Sequence, residues 1–583
     1  MALRTKWKPG KEEVVAQNGA VTSMQPQSAE AGLAMLKAGG NAVDAAVAMG
    51  FCNVVLEPYM ATIGGMGYML VHVASEGKTY AIDFNGRAPR NANPEMYNVT
   101  GPAPAGGIHL FDVEGEANRE GPLSVTVPAT CAGLCEAHQR FGVLPLKQVL
   151  EPAIQLASDG FEANWYLTLY AANSMDAFNR DPYLASMWLP NGRPPRSSPK
   201  PGQKVIQRDL GDLLRNIATQ GRAAMYEGEV ADSIDSFMRD NGGVLTKQDL
   251  SDYQPMVSEP LSVTYAGHEV KAVPTPSGGI TNLQTFRILE SLGFSSMKHN
   301  SVEYFHTFIQ AARHTFADRF RYLGDWEHSE VPLDGMLSVE YARDIAGLVT
   351  ASERANVGVD YDEEPWGYYL DRELHDPWRH QSRMAQSPVP VPAMDQNYED
   401  TTQINVVDKD RNAVSCTHTG VFTAGANPPS TGVYLVGGIA WFLPQGGYAN
   451  SVAGWKRPLN NMAPVMVFKG GRPVLCQGAP GARKIMNRGV QVVSNVVAFG
   501  MSPQEALIAP TVDASGRDTL VDSRLPDSTI QGLIDLGHRV QVVEEEPGMG
   551  GNFSRPSAIK IDYQRGVLYA GVDVFRPAIA LGY

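Results

Sequence analysis

The sequence predicts a layered fold of mixed helix and sheet. Two observations lead there: runs of β-branched and alternating residues recur along the whole chain, and segments of helical period fall between them. At 583 residues, 43% hydrophobic and 19% charged, the chain has ample apolar material for large cores. The 58 glycines and 40 prolines form no low-complexity tract, so they read as turns.

Residues 29–50, AEAGLAMLKAGGNAVDAAVAMG, read as a helix, a glycine cap at Gly39-Gly40, and a second helix opened by Asn41. GYMLVHVASEGKTYAIDF (67–84) alternates as a hairpin does, with its turn near Glu76-Gly77. Segments 123–160, 205–240 and 301–322 have helical spacing, and HEVKAVPTP (268–276) is a strand running into a turn at Ser277-Gly278-Gly279. Between about 352 and 400 the chain turns acidic, carries prolines and loses periodicity, as a long exposed loop would. His375, Asp376 and His380 in it are expected to be solvated rather than metal ligands. Directly after comes TTQINVVDKDRNAVSCTHTGVF (401–422), a strand, a charged turn at Lys409–Asn412 and a second strand. Residues 464–481 give another hairpin ending in a glycine-rich turn, and RKIMNRGVQVVSNVVAFGM follows as a helix.

Composition narrows the function classes. A formal charge of −14 argues against nucleic acid, whose phosphates need clustered Lys and Arg. No segment approaches the roughly 20 apolar residues of a membrane span. MALRTKWKPGKEEVV has no apolar stretch after its basic residues, so a cytoplasmic location is expected. The cysteines, Cys52, Cys131, Cys135, Cys416 and Cys476, are odd in number and scattered, and read as reduced core thiols. GxxxxGK[ST], HExxH and GxSxG runs are absent, and no cofactor or metal is expected.

The junction at 400–401 carries the chemistry. A threonine hydroxyl needs a base to become a nucleophile. At a chain terminus it carries one, an α-amino group with a pKa of about 7.7–8.0. Attack of the Thr401 hydroxyl on the Asp400 carbonyl, followed by hydrolysis of the ester, would create that terminus. Taken alone, Thr401-Thr402 is also what the start of any strand looks like.

GGNAVDAAVA (39–48), GGMGYML (64–70), NGGVLTKQDLSDY (241–253), PTPSGGI (274–280), ADRFRYLGD (317–325), TTQINVVDKDRNAV (401–414) and KRPLNNMAP (456–464) resemble, in order, landmarks of the γ-glutamyltranspeptidase family of N-terminal-nucleophile hydrolases. The resemblance implies an α+β fold, a four-layer αββα sandwich, cut into a large subunit, 1–400, whose end (352–400) is a mobile pre-cleavage loop, and a small subunit, 401–583. The two would form a heterodimer of one chain's own products, and relatives often pair further. Thr401 matches the nucleophile and Thr419 the threonine that positions it, although an ordinary strand threonine is the other reading of Thr419. In GAPGAR (478–483), Gly481 and Ala482 match the glycine pair whose N–H groups form the oxyanion hole. Ala482 departs from the pattern, which matters if that position needs positive φ.

The acyl pocket departs further. Asn85 stands where the family has an arginine, with Arg87 two residues on. Asn460-Asn461 replace a Ser-Ser pair, Val421 an asparagine, and Trp441 an acidic residue that grips an ammonium. Without those charges, a standard γ-glutamyl group would be poorly matched. The expected activity is therefore hydrolysis of a small non-glutamyl amide, oxamate-like or acylase-like. A γ-glutamyltransferase or glutathione hydrolase with a rearranged pocket, and an unprocessed binding protein, are the alternatives. Each pocket residue has a structural reading beside the substrate-lining one.

Overall fold

A computed structural model describes residues 10–102, 111–351, 375–381, 401–548 and 551–583. Asp400 and most of the expected 352–400 loop lie outside these.

Two seven-stranded antiparallel sheets organise the chain. Their strands are β1 (Val14–Ala16), β2 (Ala20–Ser23), β3 (Met66–Val73), β4 (Lys78–Phe84), β5 (Met256–Ser258), β6 (Leu261–Tyr265), β7 (His268–Ala272), β8 (Thr402–Val407), β9 (Ala413–Thr419), β10 (Val465–Lys469), β11 (Arg472–Gly478), β12 (Ser557–Asp562), β13 (Val567–Val572) and β14 (Ile579–Gly582). One sheet runs β14-β2-β8-β9-β3-β4-β5, the other β1-β13-β12-β11-β10-β7-β6. The β8–β9 hairpin is thus central to the first sheet, with β8 paired to β2 and β9 to β3.

The packing partners explain why this hairpin is so rich in β-branched residues. Every residue of β8 and β9 is buried. Helices α1 (Pro26–Lys37), α2 (Ala42–Leu56) and α3 (Thr130–Phe141) pack on this sheet, α2 directly on β8 and β9. Strands β8, β9 and β2 also touch β11, β12 and β13 of the other sheet. That sheet carries α5 (Gly278–Ser291), α8 (Lys484–Val497) and α9 (Pro503–Ile508), while α4 (Leu146–Asp159) packs on α2, and α6 (Val302–Tyr322) and α7 (Val339–Ala351) on α5. Strands covered on both sides lose the apolar/polar alternation of a half-exposed sheet.

The expected helix–glycine–helix start is observed. Gly39 has φ +91°, and Asn41 caps α2 with a reciprocal Asp44 bond. The 67–84 hairpin turns at Gly77, φ +62°. All five cysteines are free and buried, and Lys409 and Asp410 pair with each other at the surface. Among the described residues no helix is long and apolar enough to cross a membrane.

Two expectations are corrected. Ser277-Gly278-Gly279 is no turn: the Ser277 hydroxyl accepts the Gly279 N–H at 3.1 Å and opens α5. His375 is not solvated. It is 2% exposed, with Nδ1 2.7 Å from Asp318 Oδ1, Nε2 2.9 Å from His314 Nδ1, and its carbonyl bonded by the Tyr322 hydroxyl. Long-range partners satisfy its polar atoms, and local composition carries no trace of them. His380 likewise pairs with Asp344 at 2.8 Å, and Asp376 caps the short turn Pro377–His380.

Candidate active site

Thr401 sits one residue ahead of the β8–β9 ladder, whose first pair is Thr402 with His418. Alternation along a strand then sets its direction. Gln403 and Asn405, on the same face as Thr401, reach the other sheet: the Gln403 amide lies against Gly478, and Asn405 donates to the Ser557 hydroxyl at 3.0 Å. Ile404 and Val406, on the opposite face, belong to the core under α2. Thr401 is 2% exposed, and its Oγ1 lies 3.4 Å from Thr419 Oγ1. Thr419 is held in turn by its pairing with Met66 on β3, and its carbonyl sits where a Cβ on Gly65 would be, at 2.1 Å. The glycines of GGMGYML are needed there because backbone passes against backbone.

The turn expected to supply oxyanion donors follows β11, whose end packs on Gln403, two residues on from Thr401. Pro480 O accepts from the Ser554 hydroxyl at 2.6 Å and the Arg555 N–H at 3.0 Å, which pins the turn. Gly481 has φ +136° and Ala482 φ +52°. The position of the second glycine does require the left-handed region, and alanine adopts it at a strain of about 1–2 kcal/mol. Its N–H is retained.

Behind β8, residues that the sequence reading missed support this strand. Asn53 Nδ2 donates to Thr402 Oγ1 at 3.4 Å, and Gln25 Nε2 to Glu57 Oε2 at 3.0 Å. Burial pushes the Glu57 carboxyl up to about 7, despite bonds from Thr402 and Gln25 and the nearby Arg576 charge. Arg576 Nη1 approaches Thr401 O at 3.5 Å. His418 is fully buried, and burial lowers its pKa to about 3, so its ring is neutral.

The expected pocket residues separate into two groups. Asn460 reaches a residue beside Thr419, and Asn461 follows it in the chain. Asn460 Nδ2 lies 3.3 Å from Met66 Sδ, on the residue paired with Thr419. Both asparagines bind Arg319 of α6, whose Nη2 is 2.9 Å from Asn460 O and 2.9 Å from Asn461 Oδ1. The others are held elsewhere. Asn85 is buried with Nδ2 on Pro458 O at 2.8 Å. Arg87 pairs with Glu327 at 2.9 Å and donates to Trp455 O, so its charge is already matched. Trp441 is half-exposed rather than buried, in a short turn whose carbonyl bonds Asn450. Val421 packs at the edge of the core.

The γ-glutamyltranspeptidase profile matches residues 28–583. The chain belongs to the γ-glutamyltranspeptidase family. Within it, the chain is 33% identical over 535 residues to an acylase ACY 1 proenzyme of Pseudomonas sp. (strain V22), covering 91% of this chain and 88% of the relative. It is 30% identical over 584 residues to a glutathione hydrolase proenzyme of Bacillus subtilis (strain 168), covering 98% and 92%. Its fold superposes on a cephalosporin acylase from Bacillus halodurans with a TM-score of 0.81 and 27% identity, covering 100% of this chain and 99% of the other. The family is one of N-terminal-nucleophile hydrolases, and the mixed helix-and-sheet class read from the sequence matches its solved members.

Proposed function

We propose that this chain is a self-cleaving amidohydrolase of the four-layer αββα type, with Thr401 as nucleophile and a small amide other than a standard γ-glutamyl compound as substrate. The observation that carries the reading is the buried Thr401 hydroxyl, 3.4 Å from Thr419 Oγ1 at the head of a central strand. In maturation, Thr401 Oγ1 attacks the Asp400 carbonyl carbon and the C–N bond breaks. The resulting ester is hydrolysed, leaving a carboxylate on Asp400 and a free amine on Thr401. In turnover that amine takes the hydroxyl proton, Oγ1 attacks the substrate amide, and the N–H groups of Gly481 and Ala482 receive the oxyanion. The leaving amine departs with the proton, and water releases the acyl group. His418 pairs with Thr402, on the strand face opposite Thr401 and Thr419, so the base in this reading is the terminal amine carried by Thr401 itself.

The acylase relatives and the placement of Asn460-Asn461 favour a non-glutamyl acyl group. The glutathione hydrolase relatives favour the second reading, a γ-glutamyl enzyme with a rearranged pocket. Mass spectrometry of purified protein tests the mechanism: fragments of about 43 and 20 kDa are expected, in proportion to a 63.1 kDa chain, the smaller beginning at Thr401. Thr401→Ala should stay whole and inactive. An intact, active wild type would sink the proposal, and robust release of p-nitroaniline from γ-glutamyl-p-nitroanilide would replace the substrate class with the second reading.

A further inference from the structure

The turn that follows β11 is gripped at one carbonyl and left open at its next two amides. Pro480 O accepts both the Ser554 hydroxyl at 2.6 Å and the Arg555 N–H at 3.0 Å. Ser554 is 3% exposed and packs so closely that a Cβ on Gly481 would stand 2.7 Å from its Cα. The segment that bears it is braced in turn: Arg555 pairs with Glu545, whose Oε1 accepts the Phe553 N–H at 3.1 Å. Among the described residues, by contrast, no hydrogen bond takes up the N–H of Gly481 or of Ala482, although both residues are buried. Buried backbone donors without an acceptor are rare.

The course of β11 gives the direction in which this turn lies. Ser415, opposite Asn405 in the β8–β9 hairpin, donates to Gln477 O at 3.1 Å, and Gly478 packs on Gln403, opposite Thr417. One step along β11 is therefore one row along the hairpin, and the next row on this face is Thr401 with Thr419. The turn leaves β11 at that end.

Ala482 has φ +52°, a conformation that alanine keeps only where its surroundings hold it. We propose that Ser554 is a positioning residue: by gripping Pro480 O, its hydroxyl keeps Ala482 left-handed and so keeps the two open N–H groups presented together. The proposal rests on the reading of Gly481 and Ala482 as oxyanion donors, and it names what offsets the strain that alanine brings to the second position. Ser554 itself touches no substrate.

A crystal structure of full-length Ser554→Ala gives the direct test, independent of turnover. Residue 482 is expected at negative φ, and Ala482 still near φ +52° overturns the proposal. Kinetics with p-nitrophenyl acetate as acyl probe give the second test. Ser554→Ala should lower kcat about tenfold, because only the fraction of molecules with both donors in place turns over. KM should change by less than about twofold. Adding Ala482→Gly should restore kcat to within about threefold, since glycine reaches the left-handed region without strain. A serine that merely stabilises the fold would not be rescued by glycine at 482, and absence of rescue overturns the proposal. So does a KM that rises as much as kcat falls. The function proposed above fails separately: an uncut chain, or Thr401→Ala as fast on the probe as wild type, removes that reading and leaves φ of residue 482 to decide this one.

Discussion

The carboxyl of Glu57 shows how one buried residue reports on the strand in front of it. Its pKa is raised by burial to about 7, against an ordinary value of 4.5. The folded state therefore binds its proton more tightly than the unfolded state. That contribution is complete below about pH 4.5 and is lost as pH rises through 7. Wild type should lose on the order of 1–3 kcal/mol between pH 5 and 8 relative to Glu57→Gln, which mimics the protonated form. Denaturant midpoints of the two proteins across that range measure it, and parallel curves would remove Glu57 as the titrating group. At this scale the sequence was only partly legible. Thr401 and Thr419 are named by a motif, and their hydroxyls lie 3.4 Å apart. Glu57, Arg319 and Arg576 were missed because their partners Thr402, Asn461 and Thr401 are distant in the chain, and a sequence gives no sign that a polar group is buried. Ala482 is the intermediate case: the substitution was visible, the positive φ it must adopt was not.

Periodicity serves best for elements. The hairpins at 67–84, 401–422 and 464–481 and the helix pair at 29–50 are where their patterns place them. The Ser277-Gly278-Gly279 segment misled because paired glycines suit a turn, whereas here a serine cap recruits them into α5. Glycine also marks the tightest contact between elements. A Cβ on Gly65 would stand 2.1 Å from Thr419 O, which is backbone and cannot swing aside. Gly65→Ala should therefore push β9 away from its neighbour, cost about 1–3 kcal/mol or more, and slow scission at Thr401. A time course on denaturing gels measures the scission rate. Unchanged processing would mean that the Thr401–Thr419 spacing is not critical.

Over the whole molecule, the proposed cut falls inside a fold whose sheets draw strands from both sides of it. Strand β8 lies between β2, from residues 20–23, and β9, and β11 lies beside β10 and β12 in a sheet that also holds β6 and β7. The two products should accordingly co-elute as one species in size-exclusion chromatography and part only in denaturant. Separation in native buffer would contradict the interleaving. The family and the mixed fold class were legible at this scale because ordered landmarks span the chain. The burial of His375 was not, since its partners Asp318 and His314 lie some sixty residues upstream.

The interleaved sheets also impose a sequence of events on biosynthesis. A chain severed before folding would have to bring two separate pieces together by diffusion, with β8 seeking β2 in another molecule. An intact chain finds the same neighbour within itself. With the cut proposed at 400–401, folding would come first and scission second, and the cut protein, once unravelled, would have no efficient way back. Its persistence would then rest on how slowly it opens rather than on how readily it reassembles.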